Sequence, residues 1–355
     1  MRIDVNVLNP LSLPQRLRRL KYVIMEIRKV RQDEYEMLID VMNKSFGFVD
    51  AAAKFEHILP KLYRPDNAEM IHFGAFEGEN LVSSVGLYPL MLINGGKTVS
   101  SACIGAVSTL PEYRGRGLFT KVMDQLLLCA REMRFDLLYL GGNRLRYGRF
   151  GFEYGGRNLS VHISGRTRVL LSPSAFEVVP YDEQSDADLS VAKEILGIYE
   201  RAPMRAARTA DKLYSTLCSW NCKPYYVIDG RSASRRIVGY FAVNGESVSE
   251  IGFTCDIDTI FAALISVCGN AEVTFPMSFY TPEVLARVDH YGVSQNHMFK
   301  ILNEDAVIRF LGAEPAAICP LLSDDRHTRI RQILGDSAFD SVTGTNIFIS
   351  GADSA

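Results

Sequence analysis

Two glycines alternate with two arginines at Arg114-Gly115-Arg116-Gly117, between a β-branched segment that ends at Thr109 and an amphipathic stretch typical of a helix. Backbone N–H groups at a helix N-terminus carry partial positive charge and attract anions. Glycine lets the backbone approach a diphosphate without a Cβ in the way, and arginine adds charge-assisted hydrogen bonds to phosphate oxygens. The spacing is therefore compatible with an anion-binding turn, and a tight turn whose arginines are merely solvated stays open as the alternative.

The turn at 114–117 differs from the two best-known phosphate loops. No Gly-Lys-Ser/Thr triplet follows it, as a Walker loop requires. The dinucleotide fingerprint needs a third glycine and parallel strands, whereas turns at Gly78 and Gly95-Gly96 predict antiparallel hairpins before the helix. Both of these ligand classes are therefore disfavoured.

The bulk composition excludes several classes of protein. Formal charge is close to neutral, with 39 Lys and Arg against 41 Asp and Glu, which argues against a nucleic-acid partner. Seven cysteines are scattered without a Cys-x-x-Cys pair, so we expect reduced thiols in a cytoplasmic protein and no metal site. The first 24 residues contain no apolar run long enough for a signal peptide or a membrane span, which predicts no membrane partner.

Hydrophobic periodicity predicts an α/β (α+β) fold with tandem mixed sheets flanked by helices. After an N-terminal extension (1–24), strands, a helix and hairpins build a first domain over 25–165, which contains the turn. A weaker repeat of the same order of strands and helices predicts a degenerate second domain over 166–303. Residues 304–355 are predicted to form a short C-terminal appendage. In the second domain the corresponding helix follows Asp256 without an Arg/Gly turn, so only the first domain is expected to bind the anion.

Two motifs resemble a known superfamily. Val-Ser-Thr at 107–109, followed by the turn, resembles the acetyl-CoA-binding motif of GNAT N-acetyltransferases, although Glu112 occupies the place of the usual Gln or Arg. Tyr-Gly-Arg-Phe-Gly at 147–151, together with the tandem repeat, resembles the enhanced-intracellular-survival type of these enzymes. That type has two acetyltransferase-like domains followed by a sterol-carrier-like domain, of which only a shortened version is expected here.

The resemblance implies acetyl-CoA as the cosubstrate and assigns roles to single residues. Tyr147 would be the general acid that protonates the leaving thiolate, against the alternative of an aromatic packing residue. The carboxylate of Ala355 would be the general base, because that type uses its C-terminal carboxylate; His72 and His162 are alternatives on strand-like segments. The residues implied in cofactor binding are Val107, Ser108, Thr109, Arg114, Gly115, Arg116, Gly117, Leu118, Phe119, Thr120, Gly142 and Asn143.

These motifs predict an acetyl-CoA-dependent N-acetyltransferase. It would transfer acetyl to a primary amine, on a small molecule or a lysine side chain, by direct attack on the thioester. Two alternatives stay open. One is an acyl- or aminoacyl-transferase of the same fold, because the small-residue strand before the turn gives no clue to the acyl chain. The other is a non-catalytic acyl-CoA-binding protein, which the absence of any acid from residues 100–109 favours. The survival-type relatives also suggest a homo-oligomer.

Overall fold

The computed structural model of the chain describes residues 25–63, 71–231 and 234–335. The predicted extension over 1–24 and the end of the predicted appendage lie outside these ranges. In chain order the strands are β1 (Met25–Lys29), β2 (Ile71–Glu77), β3 (Asn80–Asn94), β4 (Lys97–Thr109), β5 (Leu137–Leu140), β6 (Glu153–Tyr154), β7 (Asn158–Ile163), β8 (Phe176–Pro180), β9 (Met204–Ala206), β10 (Lys223–Asp229), β11 (Ile237–Asn244), β12 (Ser247–Phe253), β13 (Ala271–Pro276), β14 (His290–Ser294) and β15 (Met298–Ile301).

The α-helices cover the sheets and supply most of the remaining core. In chain order they are α1 (Tyr35–Phe46), α2 (Phe55–Ile58), α3 (Leu118–Glu132), α4 (Arg144–Tyr147), α5 (Ser190–Tyr199), α6 (Ala210–Leu217), α7 (Ile257–Cys268), α8 (Pro282–Leu285), α9 (Glu304–Phe310), α10 (Pro315–Ile318) and α11 (Arg326–Leu334). Within the described ranges, none of these helices has the length and apolar character that a membrane crossing requires.

The strands form two mixed sheets. The first has eight strands in the order β1-β2-β3-β4-β5-β15-β6, with β9 added on β3. The second has seven strands in the order β14-β7-β13-β12-β11-β10-β8. In each sheet the parallel pair, β4 with β5 and β12 with β13, is linked by one helix, which is α3 in the first sheet and α7 in the second. The two halves therefore repeat one arrangement.

The two halves exchange strands. β7 follows the first half in sequence but pairs with β13 and β14 in the second sheet. β15 ends the second half but pairs with β5 and β6 in the first sheet. The segment 290–301, which the sequence suggests as one closing strand, is thus split between both sheets. The predicted boundaries at 165 and 303 stay predictions, and strand pairing crosses the one at 165.

The first sheet buries different side chains on its two faces. On β5, Leu137 and Tyr139 join a core that includes α1, α9 and α11, and Leu138 and Leu140 join a core with α3. We call these the α1 face and the α3 face. On α3 itself, Leu118, Val122, Met123, Leu126 and Ala130 are buried, which confirms the predicted apolar stripe.

Candidate functional site

The strands β4 and β5 run side by side over a short distance and then part. They are paired in parallel at Ser101–Leu137, Ala102–Leu138 and Cys103–Tyr139. β5 ends at Leu140, whereas β4 continues to Thr109 with β3 on its other side. Within the described part of the chain, no strand replaces β5 beside residues 104–109. We call the opening between 104–109 and 141–143 the wedge.

A β-bulge bends the end of β4 beside the wedge. The register with β3 passes from Gly86–Gly105 to Ser84–Ser108, so one extra residue is accommodated on β4. Ala106 has a positive φ of 48° there, a conformation that costs a residue with a Cβ of the order of 1–3 kcal/mol. Strained backbone of this kind is concentrated at functional sites.

The side chains of the predicted strand-end residues point to β3. The Ser108 hydroxyl lies 2.7 Å from the Ser84 hydroxyl, and the Thr109 hydroxyl lies 2.8 Å from that of Ser83. Ser108 is buried, and Val107 packs on the α3 face. A ligand in the wedge would therefore meet the backbone of 107–109 before the side chains of Ser108 and Thr109. Cofactor binding by these residues stays a prediction.

The Arg/Gly turn leads directly into α3. Gly115 and Gly117 have φ of 79° and 73°, which glycine tolerates best. Gly117 is the N-cap of α3, and no side chain of the described residues caps the helix in its place. A Cβ on either glycine would meet no described atom within 4 Å. The N–H groups of the first turn therefore border open space, as an anion cradle requires.

Arginines reach this turn from two parts of the chain. Arg114 donates to the carbonyl oxygens of Thr109 at 3.2 Å and Ser45 at 2.8 Å, which ties the turn to the end of α1. Arg116 donates to the Glu112 carbonyl oxygen at 3.2 Å. Both guanidinium groups are exposed and help to shape the turn, in addition to any phosphate contact.

Arg149 is a third cation at the start of α3. It donates to the Thr120 hydroxyl at 2.8 Å, and its guanidinium carbon lies 4.8 Å from the centre of the Phe150 ring. From sequence, Arg149 stands within the Tyr-Gly-Arg-Phe-Gly motif but not among the predicted cofactor residues. The signal that could have found it is the motif itself, which contains this arginine.

Tyr147 is held between the start of α3 and the end of β5. Its ring is 5% exposed and packs edge-on against Phe119, with 6.0 Å between ring centres. A Cβ on Gly142 would lie 2.4 Å from a Tyr147 ring carbon, so this packing requires glycine there. Burial raises the pKa of Tyr147, and Arg146 opposes the shift. The phenol is therefore protonated at neutral pH, as a general acid must be.

The other two predicted residues near Tyr147 have local structural roles as well. Asn143 is the N-cap of α4, and its side-chain oxygen accepts from the Arg146 amide at 3.0 Å. The Gly142 carbonyl oxygen accepts from the Tyr154 hydroxyl at 3.0 Å. The fold thus brings Gly142, Asn143 and Tyr147 to the mouth of the wedge, beside the first turn of α3.

Residues from the far end of the chain support the turn that carries Tyr147. The Lys300 ammonium on β15 is buried and donates to the Phe150 carbonyl oxygen at 2.7 Å. Gly151 has a φ of 80°, and a Cβ there would lie 2.6 Å from the Arg326 guanidinium of α11. This motif therefore favours glycine at 151 for its backbone conformation, whereas the flexible end of the Arg326 side chain can move aside.

A buried carboxylate completes this support. Glu153 is 1% exposed and forms an ion pair with Arg144 of α4 at 2.9 Å. Its Oε2 lies 3.1 Å from Nδ1 of His327 on α11. The Gly156 amide donates to the Leu334 carbonyl oxygen at 3.2 Å. The C-terminal segment is therefore docked against the strand that follows the Tyr147 motif.

Lys300 predicts a pH dependence of stability. Burial, with Arg326 and Arg131 nearby, lowers its pKa from 10.5 to about 8. Between these values the unfolded chain binds more protons than the folded one, so stability from this group rises with pH over that window. Relative to Lys300→Met, wild type should gain up to about 3 kcal/mol in free energy of unfolding between pH 7 and pH 10. Urea unfolding of both proteins measures the difference, and a flat difference would contradict the prediction.

The candidate bases named from sequence are spread apart. Ala355 lies outside the described residues, so its role stays a prediction. His72 is on β2, 1% exposed, and its Nε2 lies 3.0 Å from the Tyr88 hydroxyl. Burial lowers its pKa to about 3. His162 is on β7 of the second sheet, 3.4 Å from Asp289, and the fold does not place it at the wedge.

In the second half, carboxylate side chains occupy the equivalent helix start, that of α7. The N-cap of α7 is Asp256, whose carboxylate accepts from the Thr259 amide at 2.8 Å. Ser172 donates its amide to the Asp258 carboxylate at 3.1 Å in the same first turn. Two carboxylates therefore stand where the first half has glycines and arginines. Their charge opposes a diphosphate at this helix start.

Comparison with known sequences matches the first half. Residues 26–155 match the family described as acetyltransferase (GNAT) domain. A protein of Streptomyces avermitilis named "Uncharacterized N-acetyltransferase" is 27% identical over 156 residues. These residues are 43% of this chain and 37% of that relative, so the match spans little more than a third of the relative's length.

Comparison with solved structures covers both halves. A probable N-acyltransferase of unknown function from Enterococcus faecalis V583 aligns with a TM-score of 0.62 and 16% identity, covering 80% of this chain and 74% of its own. Eis1 from Mycobacterium abscessus aligns with a TM-score of 0.56 and 17% identity, covering 81% and 76%. At these identities the likeness concerns the fold. The predicted tandem arrangement of mixed sheets flanked by helices is confirmed.

Proposed function

We propose that the chain transfers acetyl from acetyl-CoA to a primary amine, because residues 26–155 match the GNAT acetyltransferase domain. The acceptor would be a small molecule or a lysine side chain. The observation that carries the proposal is the uncapped start of α3 at Gly117, which opens beside a wedge between parted strands. The helix start suits the diphosphate of a CoA thioester, and the wedge suits its extended pantetheine arm.

The residues present fit coenzyme A by their chemistry. Backbone N–H groups after Gly117, assisted by Arg116 and Arg149, would bind the diphosphate. The backbone of 107–109 would hydrogen-bond the pantetheine arm in place of a strand, because β5 no longer occupies that side. A backbone N–H at the β4 bulge would also stabilise the oxyanion of the tetrahedral intermediate.

The reaction requires two proton transfers. An amine with a pKa of about 10.4 needs about 4–5 kcal/mol to be neutral at pH 7, so a base assists the attack. A thiolate whose conjugate acid has a pKa near ~8.5 leaves more readily when it is protonated. Tyr147, buried and protonated, would supply that proton. Its position beside α3 favours an enzyme over a protein that only binds acyl-CoA.

Stoichiometry and turnover test the proposal. We expect calorimetric titration to give one acetyl-CoA per chain, because the second half has Asp256 and Asp258 at its helix start. We also expect release of CoA thiol when the protein is offered a panel of polyamines, aminoglycosides and lysine peptides. Binding without turnover on any acceptor would favour a non-catalytic acyl-CoA-binding protein. Transfer of longer acyl or aminoacyl groups in preference to acetyl would favour the related transferase, and absence of binding would reject the proposal.

A further inference from the structure

The proposed reaction lacks a base on the strand beside the wedge. Residues 100–109 of β4 contain neither a carboxylate nor a histidine. The acceptor nitrogen carries an extra proton once it has attacked the thioester, and this proton must leave before the amide is formed. The base must lie within hydrogen-bond reach of that nitrogen, directly or through one water molecule.

His297 lies where the two strands part. It precedes Met298, which pairs with Leu140 at the end of β5. Its ring centre is 5.7 Å from that of Tyr139, and Tyr139 belongs to the last pair between β4 and β5. Neighbouring strands are about 4.8 Å apart, so His297 stands one strand from the mouth of the wedge.

His297 and Tyr147 lie on opposite faces of the first sheet. The His297 ring contacts Tyr139 and Phe299, which belong to the core of the α1 face. Tyr147 belongs to the core of the α3 face. A thioester held between the parted strands would thus have an acid on one side and a base on the other.

We propose that His297 is the general base of the acetyl transfer, an inference that rests on the proposed function. The amine enters as its free base, and a C–N bond forms at the thioester carbon. An imidazole nitrogen of His297 accepts the extra proton from the acceptor nitrogen. The C–S bond breaks, and the departing thiolate takes the phenolic proton of Tyr147. Solvent then returns a proton from the imidazolium to the tyrosinate, so the step balances as amine plus thioester giving amide plus thiol.

The surroundings of His297 suit this role. Burial lowers its pKa to about 4, so the imidazole is neutral at neutral pH. His72 is also buried on the α1 face, but it lies on β2, two strands from β4.

Substitution with chemical rescue tests the inference. We expect His297→Gln and His297→Ala to lower kcat about 10²–10⁴-fold while acetyl-CoA affinity changes less than about threefold. Added imidazole should restore turnover of His297→Ala at least about tenfold, because it replaces the missing base. His72→Gln is the matched control, a second buried histidine of the same face. Imidazole should leave its turnover unchanged, whatever the substitution does to stability.

Other outcomes overturn the inference. A His297→Gln variant that binds acetyl-CoA and keeps kcat within about threefold of wild type would exclude this base. A His297→Ala variant that binds acetyl-CoA but shows no imidazole rescue would assign the residue to packing. Loss of turnover on deletion of Ala355, with His297→Gln unaffected, would give the role to the chain terminus. If wild type released no thiol with any acceptor, the proposed function would fail together with the inference.

Discussion

Gly117→Glu should abolish measurable acetyl-CoA binding, a loss of at least about 100-fold in affinity. The glutamate would occupy a position with a φ of 73°, which costs a residue with a Cβ about 1–2 kcal/mol. Its side chain would enter the open space before α3, and its charge would face the incoming diphosphate. Isothermal titration with acetyl-CoA and with CoA measures the loss.

Gly245→Glu is the matched control for this change. Gly245 has a φ of 61°, and a Cβ there also meets no described atom within 4 Å. It lies in the hairpin between β11 and β12 of the second sheet. Gly245→Glu therefore introduces the same backbone strain and the same charge, but away from the wedge. Gly245→Glu should bind acetyl-CoA as wild type does. The acetyl-CoA affinity of Gly117→Ala should lie between those of wild type and Gly117→Glu. A Gly117→Glu protein that binds within about tenfold of wild type would remove the turn from the cofactor site.

The turn and its helix could be predicted because they are encoded locally. A glycine N-cap, an apolar stripe and a preceding β-branched strand lie within about twenty residues of each other along the chain, and each acts on its immediate neighbours. Asn143 and Tyr147 follow from the family resemblance instead, and they are the N-cap and the last residue of the short helix after β5. Local signals of this kind survive without knowledge of the tertiary contacts.

Strand exchange could not be predicted in the same way. The alternating pattern of β7 and of β15 identifies strands, but any buried sheet edge satisfies such a pattern. Only tertiary packing determines that β15 enters between β5 and β6. His297 and Lys300 therefore reach the site from more than 140 positions beyond Tyr147 in the chain, without any motif around them. Their neighbours are visible only in three dimensions.

The bulge at Ala106 could not be predicted from the sequence either. A small residue between Gly105 and Val107 is compatible with a regular strand, and nothing in its type signals a positive φ. The missing acid on β4, in contrast, was evident from residues 100–109 and indicated that the base must come from elsewhere. The candidate cofactor turn can thus be located from sequence, whereas the candidate base is found only in the fold.

Tyr147→Phe should lower kcat about 10²–10³-fold and leave the affinity for acetyl-CoA within about twofold of wild type. The substitution removes only the hydroxyl, so the edge-on contact with Phe119 and the packing on Gly142 are retained. Without the phenolic proton the sulfur must leave as a thiolate, and the barrier to C–S cleavage rises. Steady-state release of CoA thiol with an active acceptor, together with calorimetric titration, separates turnover from binding.

Tyr291→Phe provides the comparison for this prediction. Tyr291 is exposed on β14, the edge strand of the second sheet, and loses the same hydroxyl without any link to the wedge. Its kcat should equal that of wild type. The two variants should also unfold at similar temperatures, because neither loses apolar contacts. If Tyr147→Phe turned over within about threefold of Tyr291→Phe, the phenol would be a packing residue. Water or another group on the α3 face would then protonate the thiolate.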